Sequence, residues 1–179
     1  DDIQPVFHAI VGAALRLFKD ASVFLLMREG QSYRAMSVAR PGQPLTGPSP
    51  DRVPLDPAAN FPSQVMLSRE MLHLPDWQAI DLPPHERRVQ AGEGLRSSLM
   101  LPVLQGDECI GTLGIARRQA GEFKAQEIAL LRSFVDQAVI AIQNVRLFNE
   151  TKEALERQTA TADVLQVIGA SVADAAPVF

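Results

Sequence analysis

Ser97-Ser98-Leu99-Met100-Leu101-Pro102-Val103-Leu104-Gln105-Gly106-Asp107-Glu108-Cys109-Ile110-Gly111-Thr112-Leu113-Gly114-Ile115-Ala116-Arg117 is the stretch on which the fold of this chain turns. Two apolar runs of strand length, Ser97 to Leu104 and Glu108 to Arg117, flank Gln105-Gly106-Asp107. A glycine-containing break that short between such runs reads as a β-hairpin. Gly111, Thr112 and Gly114 are small enough to let another group pack closely against the second strand.

Upstream, the pattern repeats. Ser22 to Arg28 is short and apolar, Glu29-Gly30 breaks it, and Gln31 to Ala39 carries Tyr33, Met36 and Val38, which predicts a second hairpin. Before it, Ile3, Val6, Phe7, Ile10, Val11, Ala14, Leu15 and Phe18 recur at spacings of three and four, the stripe of a helix. Asp2 can cap that helix, and Pro5 falls in its first turn, where a missing N–H does little harm.

Between the hairpins, residues 40–57 hold six of the thirteen prolines and predict an exposed loop that adds nothing to the core. A short helix follows from Asn60 to about Arg69, and Met71 to Leu74 reads as a buried strand ending at Pro75. Asp81 can cap another short helix over Pro84 to Ala91, stopped by Gly92.

Downstream, no proline or glycine interrupts a helical pattern from Lys124 to about Gly169, longer than a compact domain of this size buries. Ile128, Leu131, Val135, Ala138, Ile142 and Val145 alternate spacings of three and four, which predicts a heptad seam against a partner helix and hence a homodimer. The register breaks near Asn149, and Asn149 to Asp163 is polar. A lone solvated helix of that composition is marginal, so a partner helix is the economical explanation.

Composition narrows the function. The 179 residues are 46% apolar with a formal charge of −4, enough for a real core. No basic block exceeds short pairs such as Arg87-Arg88 and Arg117-Arg118, which argues against nucleic acid as a partner. No apolar run approaches the roughly 20 residues that span a bilayer, and the start has no signal-peptide pattern, so no membrane contact and a cytoplasmic location are expected. The single cysteine, Cys109, excludes an internal disulfide and a cysteine-cluster metal site. Asp2-Ile3-Gln4-Pro5-Val6-Phe7 is echoed by Asp174-Ala175-Ala176-Pro177-Val178-Phe179, which reads as one module followed by the first residues of a second.

Helix, hairpin, loop with small helices, hairpin and long helix is an α+β order. At Met71-Leu72-His73-Leu74-Pro75-Asp76, Leu99 to Leu104, Gly111-Thr112-Leu113-Gly114 and Phe123 to Phe148, and most of all from Leu130 to Phe148, the chain resembles the GAF domains of bacterial signalling proteins. Gln158 to Ile168 looks like the linker helix between tandem units. The resemblance implies a GAF domain over residues 3–148, a helical linker over 149–172, and the start of a second repeat over 173–179. It also implies a central antiparallel sheet with both terminal helices on one face, a small-molecule pocket on the other, and a long C-terminal signalling helix. Adjacent GAF and output domains follow from it too, in parents such as sensor histidine kinases, nucleotide cyclases or cyclic dinucleotide enzymes.

Enzymatic motifs are absent: there is no Walker-type phosphate loop, Gly-x-Ser-x-Gly elbow or His-Glu-x-x-His helix. The segment is therefore expected to be non-catalytic. Asp76, Trp77, Ser97 and Ser98 offer a carboxylate, an indole and hydroxyls for a ligand, with His73 at the pocket side of its strand in the resembled fold. The plainer alternative is that Trp77 plugs the sheet and the serines cap the strand. His8 reads as structural and His85 as solvated.

Some GAF domains hold a bilin through cysteine, but Cys109 opens a strand and reads as a small buried apolar residue, so neither covalent bilin nor haem is expected. Cyclic-nucleotide-binding members carry an Asn-Lys pair before a phenylalanine and then Asp-Glu. Here Arg117-Arg118 and Phe123 with Glu127 depart from that pattern, and Glu127 is more simply an acid in a first helical turn. Three readings remain: a sensory relay, a ligand-free structural spacer, or a small enzyme using Cys109 or His73.

Overall fold

A computed structural model describes residues 3–175. The elements run α1 (Gln4–Leu17), β1 (Ala21–Glu29), β2 (Ser32–Ala39), β3 (Val53–Pro54), α2 (Phe61–Ser68), β4 (Leu72–Leu74), a 3-10 turn (Trp77–Ala79), α3 (Pro84–Glu93), β5 (Ser97–Gln105), β6 (Glu108–Arg117) and α4 (Ala125–Asp174). The six strands form one antiparallel sheet in the order β3-β2-β1-β6-β5-β4, the α+β, GAF-like architecture expected.

The chain divides into two compact units, one ending at Ala141 and the other beginning at Ile142, within α4.

Both hairpins form. The β5–β6 connection is a two-residue turn, since Gln105 pairs with Glu108, and Gly106 takes a positive φ of 62° that its lack of a Cβ permits. Register explains how one sheet serves two layers. Val23 faces Ile115, Leu25 faces Leu113, and these face Leu99 and Leu101 in turn, so all six side chains share one face. All are essentially fully buried.

α1 lies against β1 and β2 and buries Phe7, Ile10, Val11 and Ala14. Pro5 sits in its first turn as expected, whereas Asp2 lies outside the described residues. The first part of α4 buries Leu131, Phe134, Val135 and Ala138, and Val135 borders the same cleft as Leu101.

The other face carries Phe24, Met100 and Ala116 in a cluster with Phe61, Val65, Trp77, Leu82 and Leu95. Beside it, Leu26, Tyr33, Met66 and Cys109 form a second cluster. Gly111 is approached closely by β1, because a Cβ there would lie 2.3 Å from the Leu26 carbonyl oxygen and 2.9 Å from Met27 Sδ. Backbone must move to admit it, so Gly111→Ala is expected to cost about 2 kcal/mol in urea unfolding; an unchanged midpoint would contradict the register.

Several expectations need correction. Loop 40–57 does contribute to the core, since Val53 and Leu55 pack against the Leu26–Tyr33 cluster. β4 is half-buried, not buried, because it is the sheet's edge. α3 is not capped by Asp81, which pairs weakly with Arg87 at the surface. It starts after Pro83, passes through Gly92 and stops at Gly94, whose φ of 69° is left-handed.

The heptad seam is also redrawn: Leu131, Val135 and Ala138 are buried within the chain's own core, so half of the seam belongs to intradomain packing. A spacing of three and four serves a sheet as well as a partner helix. One 18-residue window of α4 reaches a mean hydropathy of 1.3, enough by length and composition to cross a bilayer, a test that the core helix of a soluble protein also passes. The repeat echo at 174–179 falls mostly outside the described residues.

Candidate functional site

A cavity of about 390 Å³ opens between the sheet face bearing Phe24, Leu26, Met100 and Ala116 and the helix α3, which contributes His85, Glu86, Val89 and Glu93. Ser49, Asp51 and Val53 of the proline-rich loop also line it. That volume lies within the range of small-molecule sites, as do its mostly apolar walls.

Local capping fixes these elements. Asn60 Oδ1 accepts the Ser63 N–H at 2.8 Å, as expected for a residue of its type at an N-cap. The Ser63 hydroxyl then accepts the Asp56 N–H at 2.9 Å. The next free amide at the start of α2, Phe61 N–H, is satisfied from another helix by Glu86 Oε1 at 2.6 Å, and His85 N–H donates to Ala59 O at 3.1 Å. One buried carboxyl thereby joins α2 to α3.

Glu86 is 2% exposed, and burial outweighs the Phe61 amide and Arg88 to push its pKa up to about 7. Burial and Arg88 hold His85 below its ordinary pKa. His85 Nε2 stands 3.8 Å from Glu86 Oε2, and burial disfavours the charged form of both groups. Tyr33 is 3% exposed and lines the same cavity. Its hydroxyl has no hydrogen-bond partner among the described residues, and burial, then the charge of Glu86, push its pKa well above the usual phenol range. It therefore remains a donor at physiological pH.

Of the five ligand residues expected from sequence, only Trp77 lines this cavity. Its indole N–H donates to Ser98 Oγ at 2.9 Å, and its ring meets Phe61 edge-on at 5.7 Å, so it plugs the sheet while walling the cavity. Ser98 is occupied by that bond. The Ser97 hydroxyl donates to Gln119 O at 2.7 Å. Asp76 accepts the Gln78 N–H at 3.0 Å and an Arg96 N–H at 3.1 Å, which hold its carboxyl below the usual range. His73 Nε2 accepts the Phe123 N–H at 3.0 Å. None of these four lines the cavity, and each makes a hydrogen bond with the surrounding framework.

His85 lines the cavity and is not simply solvated. His8 bonds Ser37 Oγ at 2.7 Å, tying α1 to β2. Cys109 sits in the apolar cluster, its thiol pushed up by burial, which makes it a poor nucleophile. Among the described residues, no three His, Cys, Asp or Glu side chains gather as a metal site.

Tyr33 and Glu86 were the residues sequence reasoning missed. The only available signal was Tyr33 itself, the chain's single tyrosine, on a strand of alternating character.

A second cavity, about 540 Å³, shares Ser22, Arg40, Glu93, Leu95 and Ala116 with the first and extends to Arg117, Arg118 and Gln119. Arg40 and Glu93, paired at 3.0 Å, line both. Arg117 then connects this region to α4: its guanidinium pairs with Glu127, lies 4.4 Å from the Phe123 ring centre and reaches Asp20 at 3.4 Å.

A family model described as GAF domain matches residues 2–142. Over 112 residues the chain is 28% identical to the formate hydrogenlyase transcriptional activator FhlA of Escherichia coli K12, a match covering 62% of this chain and 16% of that protein. Its structure is similar to that of a methyl-accepting chemotaxis protein, residues 122 to 287, with a TM-score of 0.69 at 18% identity, covering 82% of this chain and 92% of that one. It is also similar to a domain assigned to a two-component sensor histidine kinase of Sinorhizobium meliloti 1021, with a TM-score of 0.62 at 18% identity, covering 85% and 99%.

Proposed function

The chain belongs to the GAF domain family, the sensory and regulatory modules of signalling proteins, and on that premise we propose that it is the non-catalytic sensor of a cytoplasmic bacterial histidine kinase. In this reading a small molecule in the cavity biases α4 in a homodimer. The observation that carries the sensor reading is the cavity lined by Tyr33 and Glu86, where the buried Tyr33 hydroxyl has no hydrogen-bond partner among the described residues, a group that a purely structural spacer would have no reason to retain.

Arg117 supplies a physical route outward, since it joins the strand beside the cavity to Phe123 and Glu127 at the start of α4. A ligand that fits one arrangement of those contacts better than another shifts their populations. Residues 149–172 then act as the connecting helix, and 173–179 begin a second repeat. The 28% identity to FhlA favours a second reading of the parent, in which the module regulates a transcriptional activator.

Dimerisation involves the part of α4 beyond the core, where Leu147, Phe148, Leu155, Leu165 and Ile168 are each more than half exposed. Comparing native with denaturing mass spectra of the purified chain tests both halves of the proposal. A dimer retaining an extra mass is expected; a monomer with nothing bound sinks it. Ile142→Glu is expected to convert the dimer to monomer by light scattering, and an unchanged dimer would remove this interface.

A further inference from the structure

We propose that the cavity beside α3 takes an uncharged small molecule with an apolar body and one carboxamide-like edge, its N–H donating to Glu86 and its carbonyl accepting from Tyr33. This rests on the sensor reading above and adds the chemistry of the ligand. Tyr33 is nearly fully buried, lines the cavity and has an unpartnered hydroxyl among the described residues. Glu86 spends one oxygen on the Phe61 amide, which leaves the other for a donor.

The remaining lining is apolar on the sheet side, through Phe24, Leu26, Val38 and Met100. Its acids are Asp51, Glu86 and Glu93 and its guanidinium is Arg40, which is already paired with Glu93. An anion therefore finds no uncommitted guanidinium and meets an excess of acids, while an amide satisfies one donor and one acceptor together. Leaving either of those buried groups without a partner is costly, so matching both discriminates strongly among ligands of equal size.

Benzamide, benzoate and toluene are probes of nearly one shape that differ in this edge. Titrated into the full chain by NMR at pH 8, where Glu86 is ionised, benzamide is expected to bind at least about ten-fold more tightly than benzoate. Tyr33→Phe should abolish that margin while leaving toluene binding intact. Glu86→Gln is the sharper variant: its carbonyl can keep the Phe61 bond and its NH2 then offers the cavity a second donor, so the preference should invert toward benzoate.

Benzoate binding the wild type as tightly as benzamide, or an unchanged ratio in Glu86→Gln, overturns the proposal. If toluene binds but benzamide gains nothing over it, only the ligand chemistry fails. If none of the three binds, the cavity is closed to ligands and the sensor reading fails with it.

Discussion

The stability difference between wild type and Glu86→Gln is expected to shift against the wild type by about 2–3 kcal/mol between pH 5 and pH 8. The carboxyl titrates near its ordinary value of 4.5 when the chain is unfolded and at about 7 when folded, so the folded state holds the proton more tightly. Its contribution is fully present below pH 4.5 and is lost as pH rises through 7. A shift of one unit corresponds to about 1.4 kcal/mol, which sets the size of the effect.

His85 acts in the opposite sense: its depressed pKa adds stability as pH rises toward its ordinary value of 6.5. Glu86→Gln retains His85 and Arg88, so the difference between the two proteins isolates the carboxyl. Urea unfolding across this window measures it, and parallel pH profiles would show that Glu86 is not buried as described. A measured shift would also mean that the protein carries a group costly to its own stability at neutral pH, which is the usual mark of a site kept for binding.

The sheet was legible because its signals are local. Apolar runs of strand length on both sides of Glu29-Gly30 and of Gly106-Asp107 predict hairpins without reference to anything distant, and the short helix expected from Asn60 forms with Asn60 as its N-cap. The ligand site was much less legible. Glu86 is one charge in Pro84-His85-Glu86-Arg87-Arg88, and nothing in that string separates it from its solvated neighbours. Its burial arises because α3 packs on the start of α2, a tertiary fact.

His73, Asp76, Ser97 and Ser98 do not line the cavity. Their residue types suit a binding site, but each gives a polar atom to the framework, to Phe123, Arg96, Gln119 and Trp77 in turn. Polar residue type marks a capacity for hydrogen bonding, and only the fold shows whether any remains for a ligand. Gly92 and Gly94 illustrate the same limit at smaller scale. Either can end a helix, and the choice rests on which adopts the left-handed conformation.

Leu131→Ala is expected to cost about 3 kcal/mol of stability while leaving the oligomeric state unchanged, whereas Leu147→Ala should change the stability of the separated single chain by less than about 0.5 kcal/mol and act through the dimer alone. Both leucines lie on α4, and the apolar spacing along that helix does not distinguish them. Leu131 is fully buried within the chain, and Leu147 is 60% exposed. Removing the first creates a cavity among Phe134, Val135 and the sheet face they cover; removing the second strips only a solvated surface of the single chain. Urea unfolding at several protein concentrations reads the two effects separately, because a loss at an intermolecular seam shifts the midpoint with concentration and a loss in the core does not. A concentration-dependent loss in Leu131→Ala would return this residue to the seam. The expected outcome instead divides one periodic helix into a stretch that completes the domain and a stretch exposed in the single chain.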